Sequence, residues 1–122
     1  PNGERLVAWR DDDPDIWRWL GTGYHVQGDY HRSAIAWEQA ANFPTLRSHS
    51  LVRLAAARSM LGDTAGAYDA LERAHAMGYR NRPALLEDQA LLSLQGESRF
   101  HRLLAKMEES GREVWSGFAV MP

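Results

Sequence analysis

The pair Gly28-Asp29 returns as Gly62-Asp63 and once more, loosely, as Gly96-Glu97, at a constant interval of 34 residues. More than the turn recurs, since Leu20, Trp37 and Ala40 come back as Leu54, Leu71 and Ala74. An interval of this size restricts the chain to stacked units, each a small supersecondary element that cannot bury its apolar face alone. Within a unit the apolar residues fall three and four apart, the period of a helix and not the alternation of a strand. Trp17, Leu20, Gly21 and Tyr24 make one such stripe, and Leu51, Leu54 and Ala55 make the next.

Turn chemistry places the boundaries. Asp13 caps a first helix that begins with Pro14 and ends near Val26, where Gly28 stops it. Asp29 caps a second helix to about Ala41, before Asn42-Phe43-Pro44 interrupts the chain. The second unit predicts a helix from about Thr45 or Ser48 to Leu61 and another from Thr64 to Met77, with Gly78 as its stop. A third unit is degenerate, with a short helix from Arg82-Pro83 to about Glu87, a short turn capped by Asp88, and an amphipathic helix from Ser98 to Ser110 ending at Gly111.

Gly21 in mid-helix costs up to about 1 kcal/mol and requires a second backbone close by. The second helix offers small residues for that approach, Ser33, Ala34, Ala40 and Ala41, with Ile35 and Trp37 as its bulky ones. Arg58 stands where the first unit has Tyr24, so it must snorkel or find a carboxylate.

The order Trp17-x-x-Leu20-Gly21-x-x-Tyr24, then Ser33, Trp37, Ala40 and Pro44, resembles the tetratricopeptide repeat. The resemblance covers about Asp13 to Ser110 and implies an all-α fold, an α-solenoid of stacked antiparallel helix hairpins in a right-handed superhelix of about six or seven helices. It divides residues 1–122 into an N-terminal arm (1–13), repeat 1 (14–44), repeat 2 (45–79), a capping repeat (80–110) and an apolar tail (111–122). Leu6, Val7 and Trp9 sit in the arm; Val114, Trp115, Phe118, Val120 and Met121 make the tail too apolar for a solvated end. The resemblance also implies a non-catalytic module that binds a peptide or protein segment along the concave face lined by the first helix of each repeat.

On the first helix that face carries Asp15, Trp19, Thr22 and Val26, flanked by Arg18 and His25. On the second unit's first helix it carries Val52, Arg53, Ala56 and Met60, flanked by His49 and Ser59. Trp19, Val26, Val52 and Met60 are apolar where a solvated face is polar, which reads as anchors, with arginine and histidine as donors. A clamp for a C-terminal carboxylate, as some members of that family have, is incomplete. Arg18 and Arg53 supply charge, but Thr22 stands in an amide's place and Pro83 and Glu87 replace the third repeat's basic residues.

Other chemistry finds little support. The net charge is −2 with Lys106 the only lysine, so no basic stripe serves nucleic acid. There is no cysteine, and no apolar run reaches the roughly 20 residues of a membrane span. His25, His31, His49, His75 and His101 lack zinc-ligand spacing, and no metal or cofactor is expected. No nucleophile elbow or phosphate-cradling loop is present, and no catalytic residue is assigned. The chain does not begin with methionine, which leaves an upstream leader open. Capped arrays of this length resemble segments of exported bacterial proteins. Two further readings stand beside the adaptor: a regulatory or targeting segment of a larger enzyme, and a homodimer formed through the groove or the tail.

Overall fold

Three glycine turns set the course of the chain. The computed structural model describes residues 13–120, and side chains for residues 13–109. Gly28, Gly62 and Gly78 adopt φ of +80°, +79° and +100°, the left-handed region that glycine enters without a Cβ penalty. At each turn the glycine amide and the next amide fold back onto the preceding helix: Asp29 N–H donates to the Tyr24 carbonyl, Asp63 to Arg58 and Tyr79 to Ala74, at 2.9, 2.9 and 3.0 Å. These bonds satisfy carbonyls that a helix end leaves orphaned and turn the chain straight into its next segment.

Seven α-helices result among the described residues, with two short 3-10 turns and no strand. They are α1 (Pro14–Val26), α2 (Tyr30–Ala40), α3 (Arg47–Met60), α4 (Thr64–Ala76), α5 (Arg82–Glu87), α6 (Leu92–Gln95) and α7 (Ser98–Val120). The 3-10 turns are Pro44–Leu46 and Gln89–Leu91. Asp13, Asp29, Asp63 and Asn81 each cap a helix with a side-chain oxygen, accepting an amide of the first turn. The all-α expectation holds.

From α1 to α4 each helix packs on the next, and α7 closes against α4 and α6. Gly21 is buried under the indole of Trp37, so close that a Cβ there would lie 2.5 Å from the ring. Ser33 Oγ donates to the Gly21 carbonyl at 2.8 Å and fixes the same approach. One connected core runs from Trp37 through Leu51, Leu54 and Leu71 to Leu91, Phe100 and Met107. Trp17, Leu20 and Tyr24 are half-buried, and Trp17 packs against this core. Arg58 is paired as required, near Glu38 at 3.7 Å and Asp69 at 3.8 Å, and donates to the Gly66 carbonyl at 3.1 Å.

Three expectations need correction. Ile35 does not pack in the core but is 60% exposed, because it lies two residues from Trp37 and so on the opposite side of α2. Gly96 has φ −88°, so the third glycine pair does not repeat the left-handed turn; α6 is only four residues long and the chain restarts at Ser98. Gly111 does not end the last helix, which runs through it to Val120. A glycine inside a helix costs about 1 kcal/mol and only weakens it when the flanking turns persist. The expected N-terminal arm, and the side chains of the expected tail, lie outside the described residues.

Candidate functional site

Two shallow hollows, each of about 530 Å³, open on the protein and share His49 as their common wall. The first is lined by Asp15, Ile16, Arg18, Trp19 and Thr22 of α1. The second continues over Val52 and Arg53 of α3 to Tyr79, Glu87 and Asp88 around α5. Among the described residues, α2 and α4 contribute nothing to either lining. A smaller hollow of about 150 Å³, on Leu20, Gly23 and Tyr24, also borders Trp19. The indole is therefore a ridge, and it is 73% exposed.

His49 is held at this junction by Trp37, whose ring meets it edge-on at 5.6 Å and 83°. The contact links α3 to the indole that already locks α2 onto α1, so the hollows take their shape from the core beneath them. Partial burial holds the His49 imidazole below its ordinary 6.5, and the Arg53 and Arg18 charges push it the same way. His25 is lowered too, by burial and then by Arg53, with Asp88 opposing. Its ring packs edge-on to Tyr30 at 5.1 Å, and its Nδ1 is buried without a partner. Both imidazoles are therefore neutral at pH 7.

The arginines are occupied. Arg18 pairs with Asp15 at 3.0 Å, and Arg53 pairs with Asp88 at 3.5 Å. The Arg53 and Asp88 side chains keep 28% and 17% of their exposure, so this pair joins α3 to the segment after α5 more than it faces solvent. The expectation of two arginine donors open to a partner is narrowed accordingly: Arg53 is tied to Asp88, whereas Arg18 keeps 51% of its exposure beside Asp15 of its own helix. Thr22 likewise spends its hydroxyl on the Arg18 carbonyl at 3.0 Å.

Of the remaining expected groove residues, Val26 and Met60 are exposed but line neither of the two larger hollows. Ala56 and Ser59 are buried and line neither hollow, and Val52, expected as an exposed anchor, is a core residue only 6% exposed at the floor of the second. The 3-10 turn Gln89–Leu91 packs against α3, and Ser59 Oγ shares a hydrogen bond with Ser93 Oγ at 3.2 Å. Sequence reasoning missed Tyr79, Glu87 and Asp88 as lining. A signal existed for Glu87, which stands one interval after Arg53 and two after Trp19. Tyr79 is raised above its ordinary value of 10.0 by burial and by the nearby Asp88 carboxylate, and thus stays protonated.

Among the described residues no group of three histidine or carboxylate side chains gathers as a metal site would require. Among the described residues no helix is long and apolar enough to cross a membrane. Comparison with family models, with curated proteins and with solved structures finds no match to this chain.

Proposed function

We propose that the chain is a tetratricopeptide-like α-solenoid and a non-catalytic interaction module. In this reading it is a small adaptor, or the adaptor segment of a longer protein, that holds an extended peptide along its hollow side. One observation carries the proposal. The two hollows meet at His49 and draw their walls from α1, α3 and the surroundings of α5, the leading helices of successive units, and none from α2 or α4. A binding surface built on leading helices alone is what a stack of hairpins offers to an elongated ligand.

The side chains support the same reading. Trp19 is an exposed, rigid aromatic of the kind that supplies most of the energy at protein interfaces. The ion pairs beside it give a polar rim, and the neutral imidazole of His49 adds no positive charge where the hollows meet. An extended segment lying here exchanges backbone hydrogen bonds with such a rim and inserts side chains into the hollows.

The test is selection from a random peptide library displayed on phage. We expect enriched peptides whose binding falls at least tenfold on Trp19→Ala, the loss of an aromatic anchor being on the order of 2 kcal/mol. The reading is refuted if no peptide is enriched, or if the enriched peptides bind the Trp19→Ala protein equally well.

A further inference from the structure

Residues 19, 53 and 87 stand at one position of three successive units, and they are tryptophan, arginine and glutamate. Trp19 walls the first hollow, and Arg53 and Glu87 both wall the second. Charge along this row is not balanced. Asp88 takes the Arg53 charge and Asp15 takes that of Arg18. Glu87 is exposed, and its carboxylate has no ion pair or hydrogen bond among the described residues. The charge this groove leaves for a partner is therefore negative and sits at its α5 end.

We propose that the segment bound here presents an apolar or aromatic side chain to Trp19 and a lysine or arginine to Glu87. The inference deepens the proposal above and rests on it. A free C-terminal carboxylate is disfavoured, since Arg18 and Arg53 each already face a carboxylate and Glu87 repels it. The lowered affinity of His25 and His49 for protons agrees with a cationic ligand, because neutral imidazoles do not oppose it.

An exposed pair contributes modestly to affinity and more to selectivity and encounter rate. The experiment repeats the phage selection on the native protein and on Glu87→Lys, with circular dichroism as the folding control. From the native protein the enriched peptides should share a cation together with an aromatic or aliphatic residue. One such peptide, made synthetically, should bind Glu87→Gln about two- to fivefold more weakly, with the difference shrinking as salt is raised. Glu87→Lys should replace the cation by an acid in its own selected pool. Enriched peptides without a cation, or identical pools from the two proteins, overturn this inference while leaving the groove reading intact. Failure to enrich any peptide overturns the groove reading itself.

Discussion

Gly21 and Gly62 are both required, for different physical reasons. At Gly21 the obstacle is steric, because the Trp37 ring occupies the place of a Cβ. At Gly62 the space is open and the obstacle is the backbone, held at φ +79°. Gly21→Ala should lose about 1–2 kcal/mol, an overpacking cost partly offset by better helix propensity. Gly62→Ala should lose about 1 kcal/mol through left-handed strain. Urea unfolding of the two variants measures both, and a stabilised Gly21→Ala would show that α1 and α2 are not so closely joined. Arg53 and Trp19 separate in the same way. Arg53→Ala leaves the Asp88 carboxylate half-buried and unpaired, and should lower stability by on the order of 1 kcal/mol. Trp19→Ala removes a side chain that is mostly in water and should leave the melting temperature nearly unchanged.

At the scale of an element, α7 is the closing piece, and one buried tyrosine fastens it. Tyr68 of α4 donates its hydroxyl to Glu97, just before α7, at 2.5 Å, and Arg99 lies over its ring at 4.4 Å. Burial first, and then the hydrogen bond to Glu97, push the phenol up to about 12, so it remains a donor throughout the physiological range. Arg99 is also 3.7 Å from Glu72 of α4. Tyr68→Phe keeps the ring and deletes the donor. It should cost about 1 kcal/mol and speed hydrogen exchange in the first turns of α7 more than in α3. Uniform acceleration across the protein would mean that α7 does not open separately.

For the whole molecule, protonation is the general lever. His25, His49 and His75 are all held below 6.5 in the folded protein, each chiefly by burial. Their unfolded forms titrate near 6.5, so in the window below that value the unfolded chain binds more protons than the folded one. The stability these groups contribute is present above about pH 6.5 and is lost as pH falls through their folded values. Denaturant midpoints should therefore drop from about pH 7 to about pH 5, and His49→Gln should flatten the slope. An unchanged slope in that variant would place the titration elsewhere.

The sequence by itself determined the helices, their caps and their turns. These depend on neighbours a few residues away: an aspartate oxygen reaches the amides of its own first turn, and a glycine sets its own φ. Repetition at one interval also told which faces turn inward, since Leu54, Leu71 and Ala74 echo Leu20, Trp37 and Ala40. Which groove residues remain available was decided only by the tertiary structure. Arg53 met Asp88, 35 residues on, and the Gln89–Leu91 turn packed against α3, on which Ala56 and Ser59 are buried. No local pattern encodes such meetings, because pairing energy depends on where two distant segments come to rest and not on the propensity of either.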